Sequence, residues 1–299
     1  MIGLPYLRGR DRYERSMHGW VDNTHADAFT HTVALADDDL SIELTAVCTP
    51  SPDYEVRAAG ARVVAGRADP GIAVDLGALA GARMVGGFTR RLVEVCGDRV
   101  GAGHFVDAAI EVARLARQIA KLPREATAGV EAGDPERCWR LDTTGWVDLP
   151  DSCFTYSEAG RALLGTRPVS TPMSPDLYSP PPGARKVFVR RKLSRLVLTG
   201  RRLHLFSAMH DNVHGFDLHY EIDLAGGVVS AAHSVVSRLP YAGICSEPQG
   251  RINLVVGQRV DAGLRKRLQA LIGGGEGCGQ LYDLTADLLK LLDLPDPQG

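Results

Sequence analysis

The segment GFTRRLVEVCGDRVGAGHFVDAAIEVARLARQIAKLP (87–123) finds an echo in GLRKRLQALIGGGEGCGQLYDLTADLLKLLDLP (263–295). Gly87 and Gly263 stand 176 positions apart, and so do Gly97 and Gly273. Each segment reads as a short amphipathic helix, a glycine break and a longer helix. In the first copy Phe105, Ala109, Val112 and Ala116 recur at three- and four-residue spacing, an apolar stripe that must pack on something. Upstream, HTVALADDDLSIELTAV (31–47) aligns with HYEIDLAGGVVSAAHSV (219–235) at an offset of 188. Alternating segments around a turn of Asp or Gly predict a β-hairpin in each copy. A chain that repeats itself is read first as repeated structural units.

The predicted architecture is therefore α+β. Two related units, each a β-hairpin followed by two helices, pack as a pseudo-two-fold tandem with a cleft between them. The expected boundaries are 1–123 for the first repeat, 124–185 for a connecting segment that is Pro-rich at its end, and 186–299 for the second repeat. KVFVRRKLSRLVLTGRRLHLF (186–206) alternates well enough for one or two strands, its basic residues reading as an exposed face. Asp37, Asp38 and Asp39 read as a solvated hairpin turn.

Bulk composition bounds the function. Apolar residues make up 44% and charged residues 23%, the balance of a globular chain with a real core. The net charge of −2 supplies no basic field for nucleic acid or an anionic membrane. No apolar run is long enough to span a bilayer, and the N-terminus lacks a secretory pattern. Six cysteines without Cys-x-x-Cys spacing predict reduced thiols in a cytoplasmic protein.

A family resemblance rests on LPYAGICSEP (239–248) and IGGGEGCGQLYDL (272–284). The order of hairpin, Pro-loop with Ile-Cys, helix, Gly-Gly-x-Glu-Gly-Cys and helix resembles a bacterial family of unknown function. Its members carry a PFxICP-like segment and end in a GGVEGCTHLxEL-like one. The resemblance places Cys245 and Cys278 on the family's two cysteine positions and Asp283 on its Glu. Gln280 departs from the family's His, which His104 keeps in the first half, where Val56 and Ala102 replace the cysteines. The chain thus looks like a fused tandem of that family. A looser likeness of layout links it to iron–sulfur scaffold domains, and fold alone does not give function.

Candidate chemistry concentrates in SAMHDNVHGFDLHYEID (207–223) and SMHGWVDNTHADAFTH (16–31), which hold six of the nine histidines. His–Asp pairs can move protons near neutral pH. The expected acid–base set is His210, Asp211, His214 and Asp217, with His104, Cys278, Tyr241 and His219 lining the substrate. On a helix, His210 and His214 would share one face, although DNVHG is turn-rich. The glycines before Cys278 put a thiol at a helix N-terminus, where its pKa falls. The ordinary alternative is turn chemistry, with Cys278 as a small buried residue.

The leading expectation is a cofactor-independent enzyme of lyase, isomerase or hydrolase type, acting on a small organic molecule in a catabolic pathway. One alternative is a zinc or iron site using Cys245, Cys278 and a histidine. Another is a non-catalytic ligand-binding module. Expected partners are a small molecule and, if any macromolecule, a second copy as a homodimer.

Overall fold

The computed structural model describes residues 2–144 and 150–296. In chain order the elements are β1 (Arg12–Asp22), β2 (Phe29–Asp37), β3 (Leu40–Cys48) and β4 (Val56–Gly66), then α1 (Pro70–Asp75), α2 (Phe88–Cys96) and α3 (Ala102–Ala116). Next come α4 (Pro135–Thr143), α5 (Glu158–Ala162) and α6 (Pro175–Tyr178). Strands β5 (Phe188–Thr199), β6 (Arg202–Asp211), β7 (Gly215–Asp223) and β8 (Val228–Arg238) precede α7 (Leu264–Ile272) and α8 (Gly279–Leu289). The chain is α+β, and it divides into two compact units.

The β1–β4 unit comprises Arg15–Ala132 and Met173–Arg191. Its strands run in the order β4-β3-β2-β1, each antiparallel to its neighbour. Strict alternation along β3 buries Leu40, Ile42, Leu44 and Ala46 and leaves Ser41, Glu43 and Thr45 on the other face. α3 lies across β2 and β3 and presents Phe105, Ala109, Val112 and Leu115 to them, all buried. Each such large apolar side chain contributes roughly 1.5–3 kcal/mol by leaving water.

The β5–β8 unit comprises Met1–Glu14, Gly133–Pro172 and Lys192–Gly299. Its strand order is β5-β6-β7-β8. α8 packs on β6 and β7, α7 packs on α8, and the 3₁₀ segment Glu247–Val255 packs on β8 and α7. Leu205, Phe216, Leu218, Leu268, Leu281, Leu284 and Leu288 belong to one buried cluster.

Three expectations need correction. The hairpins are parts of four-stranded meanders, because β1 and β4 flank β2–β3, and β5 and β6 precede β7–β8. The aligned hairpins therefore hold different places, second and third strands in one unit, third and fourth in the other. The segment expected as a connection is shared out: 133–172 belongs to the β5–β8 unit, while 124–132 and 173–185 belong to the β1–β4 unit. It carries α4, α5 and α6 rather than one extended run, and its residues 145–149 lie outside the described ones. Finally, Arg190 of the basic stretch is buried, 2% exposed, against the equally buried Glu111 at 3.2 Å. A guanidinium leaves water only when such a partner meets it.

His31, on β2, is fully buried and edge-on to Phe29, and neither ring nitrogen makes a well-formed hydrogen bond. Burial pushes its pKa down to about 4, with the backbone of Ala46 and Phe29 offsetting part of the effect. The unfolded chain takes up this proton below about pH 6.5, whereas the folded chain resists until about 4. Its contribution to stability is therefore intact above pH 6.5 and falls as pH drops to 4, by roughly 3 kcal/mol in all. We expect His31→Leu to flatten this part of the acid slope. Denaturant midpoints at pH 7.5 and 4.5 check this, and equal slopes in both proteins would refute it.

Candidate functional site

The residues of 207–223 divide according to the faces of β6 and β7. On β6, Leu203, Leu205, Ser207, Met209 and Asp211 are buried, while His204, Phe206, Ala208 and His210 lie on the other face. On β7, Phe216, Leu218, Tyr220 and Ile222 are buried, and Asp217, His219 and Glu221 face outward. A strand turns successive side chains to opposite sides. The expected four-residue acid–base set is thereby split into two pairs.

The inner pair is a turn device. Asp211 Oδ1 accepts the backbone N–H groups of Val213 at 2.8 Å and His214 at 2.6 Å, closing the β6–β7 turn. His214 Nδ1 lies 3.1 Å from the same oxygen, and both side chains are buried. His210 and His214 are a strand end and a turn residue, so the helical-face reading fails. The outer pair is accessible. His210 Nε2 meets Asp217 Oδ1 at 3.0 Å, with the side chains 49% and 36% exposed.

Other groups share that outer face. Phe206 and His219 stand ring to ring at 4.7 Å, and the Arg195 guanidinium lies 5.5 Å from the Phe206 ring centre. His219 is in register with His233 on β8, and His204 Nδ1 lies 3.8 Å from Glu221 Oε2. β8 also bulges: Gly215 pairs with Arg238 and Phe216 with Val236, leaving Ser237 as the extra residue. Phe206, His233 and Ser237 were absent from the sequence-based set. The alternation of β6 and β8 carried the signal for the first two, and a bulge leaves no signature in a period of two.

The cysteine side is a different environment. Cys278 is the N-cap of α8, and Cys245 lies in the loop after β8. The two interact electrostatically with each other and with Cys153, which sequence reasoning missed. Cys245 Sγ lies 2.9 Å from Thr155 Oγ1. Here the glycine run finds its reason. The strand-like segment at Cys153 bridges Gly274, and Phe154 N–H donates to Gly277 O at 2.8 Å. Gly274 is left-handed at φ +63°, and a Cβ on Gly277 would fall 2.2 Å from Ile272 O. No other residue type fits at Gly277 without moving the chain.

These thiols are not activated. Burial pushes Cys245 up to about 12 and Cys153 up to about 11, and it raises Cys278 too, overriding the helix terminus. Tyr241, expected to line a substrate, is fully buried. Its hydroxyl donates to Asp142 Oδ2, which also accepts from Tyr156 at 2.9 Å. His104, in the first turn of α3, is equally structural. Its Nε2 lies 2.7 Å from Asp37, a buried carboxylate that Arg15 approaches at 3.4 Å and that caps the β2–β3 turn through Asp39 N and Leu40 N. Asp37 is thus no solvated turn residue. Among the described residues no three or more His, Cys, Asp or Glu side chains are placed to hold a metal ion, so the zinc or iron alternative lacks an assembled ligand set.

Thiols held this far above neutrality react slowly. In a thiol-exchange assay with dithionitrobenzoate at pH 7.5, Cys153, Cys245 and Cys278 should react at least about tenfold slower in the native protein than in denaturant. Fast native modification of Cys278 would contradict the assignment. Among the described residues, no helix is long and apolar enough to cross a membrane. Comparison with the curated proteins and with the solved structures returned no match. A family model does match: residues 199–292, from the end of β5 to just past α8, are similar to the family described as "Protein of unknown function (DUF2889)".

Proposed function

We propose that this protein is a cofactor-independent enzyme acting on a small organic molecule, with His210 and Asp217 as its acid–base pair. The observation that carries the reading is the pair itself: an imidazole and a carboxylate 3.0 Å apart, both open to solvent on a sheet face. The carboxylate holds one ring nitrogen and orients the other. Imidazole titrates near neutral pH, so a positioned one serves as either base or acid. His219, Phe206 and Arg195 beside the pair supply a flat aromatic and cationic floor for a planar or anionic substrate. Asp211 and His214 hold the turn that places His210 at its strand end.

A tandem origin supports locating the chemistry in the β5–β8 unit. Asp37 and Asp211, 174 positions apart, each end a strand and each accept two backbone N–H groups of the following turn. The register irregularities also correspond. β4 has its extra residue at Val64, opposite the Ser41–Ile42 step, as β8 has Ser237 opposite Gly215–Phe216. In this alignment His210 corresponds to Ala36, Gly215 to Ser41 and Asp217 to Glu43, which is bound to Arg62 at 3.0 Å. One copy keeps the working groups and the other keeps only the frame. The offset of 174 also sits beside the 176 of the helices. The six cysteines, all free, suit a reducing cytoplasm.

A second reading, ligand binding without turnover, rests on the same face and on the Phe206–His219 stack. Turnover separates the two. A panel of small esters, lactones, amides and hydroxy acids should yield at least one substrate. On it His210→Gln should cost about 10²–10⁴-fold in kcat/KM and Asp217→Asn somewhat less. Undiminished turnover in a folded His210→Gln protein would remove the acid–base assignment.

A further inference from the structure

We infer that Ser237 is a nucleophile served by His210 and Asp217, which makes the reaction hydrolysis of an ester or thioester. This rests on reading His210–Asp217 as the acid–base pair and goes beyond it by naming the attacking atom and the substrate class. The argument starts at Gly215, which pairs with His210 across the β6–β7 turn and with Arg238 on β8. A Cβ built there would stand 2.3 Å from Ser237 Oγ, 3.2 Å from His210 Nδ1 and 3.3 Å from the Arg238 backbone nitrogen. The serine hydroxyl and the imidazole nitrogen therefore converge over one bare Cα. Any side chain at Gly215 would occupy the space they share.

The bulge accounts for the convergence. With Gly215 opposite Arg238 and Phe216 opposite Val236, Ser237 is released from the ladder and re-aimed toward the face of His210. His210 Nε2 is engaged by Asp217, so Nδ1 is the nitrogen left facing the hydroxyl. Among the described residues no hydrogen bond yet closes between Nδ1 and Oγ, the loose arrangement common in unliganded nucleophile–base pairs. The order carboxylate, imidazole, hydroxyl is recognised by geometry and not by sequence position. In the proposed twin the same bulge carries Val64, so the bulge as a backbone device does not require a serine.

The steps balance. Ser237 Oγ bonds to the acyl carbon, and its proton passes to His210 Nδ1. The bond to the leaving alcohol or thiol breaks, and that group takes the proton from His210. Water then attacks the acyl-serine, giving up a proton to Nδ1, which returns it to Ser237 as the acid departs. Asp217 keeps the ring oriented throughout.

The test uses the full chain, a fluorophosphonate reporter and p-nitrophenyl butyrate at pH 8, with Ser230→Ala as a control. Ser230 is the extra residue of the other β8 bulge, and its hydroxyl is engaged by Glu221. We expect one phosphonylated residue, Ser237, by peptide mass spectrometry. Labelling should vanish in Ser237→Ala, slow at least about 100-fold in His210→Gln and persist in Ser230→Ala. Unlabelled Ser237 in a protein with a normal thermal transition would overturn the inference, as would p-nitrophenyl butyrate hydrolysis unchanged in Ser237→Ala. Turnover that needs His210 but survives Ser237→Ala would sink the serine and leave the acid–base pair standing. Indifference to both substitutions would remove both.

Discussion

Side chains on a β-strand alternate between two faces, and this constraint governs what each titratable residue of the β5–β8 unit can do. His210 and Asp211 are neighbours in sequence, yet one reaches solvent and the other is buried. Asp211 accepts two backbone N–H groups and an imidazole, and so it locks the turn. His210 meets Asp217 instead, a residue seven positions on that the same turn brings back on the outward face. A one-residue slip of β6 against the core would exchange these roles and expose the apolar set, so the buried cluster of Leu203, Leu205 and Met209 also fixes which face His210 occupies.

Close packing decides the fate of the cysteines in the opposite sense. The loop before α8 is glycine-rich because its own turn is tight, with Ile272 O 2.2 Å from a Cβ built on Gly277, and the segment around Cys153 and Phe154 hydrogen-bonds to it. Cys245 is buried and Cys153 and Cys278 are half-buried there, and burial disfavours the thiolate more than the helix terminus favours it. The Tyr156–Asp142–Tyr241 arrangement is a buried carboxylate satisfied by hydroxyl donors. A carboxylate removed from water must be met in this way, and the two rings that meet it are edge to face. This region therefore holds the unit together, whereas His210 and Asp217 lie on the outward sheet face.

Much of the fold could be read from the sequence, and some of it could not. The echo between 87–123 and 263–295 located both helix pairs, since a 3.6-residue stripe over fifteen residues such as α3 is hard to mistake. The hairpin alignment failed by one strand, because two alternating segments around a turn look alike whichever members of a meander they are. The capping aspartates, Asp37 and Asp211, set the register of the proposed tandem, and their turns differ too much in composition to be seen without the backbone. The nearness of Cys245 and Cys278 was legible because both flank elements whose order was known. Cys153 was not, since 133–172 has no period that predicts which unit it joins. Arg190 read as exposed because charge is normally solvated, and Glu111 on α3 reverses that expectation.

The candidate site owes its visibility to the comparison of the two proposed copies. A bulge opposite the first residue after the turn is present in both, so its structural task, extra twist at the end of a meander, is discharged equally by Val64 and by Ser237. Twist demands no hydroxyl there. The facing position differs in the same direction: Ser41 carries a side chain, whereas Gly215 leaves its Cα bare. The strand-end position differs again, Ala36 against His210. At these three positions the β5–β8 unit carries His210, Gly215 and Ser237 where the β1–β4 unit carries Ala36, Ser41 and Val64. His210 Nδ1 and Ser237 Oγ both approach one point above Gly215, and the proposed serine chemistry rests on that geometry.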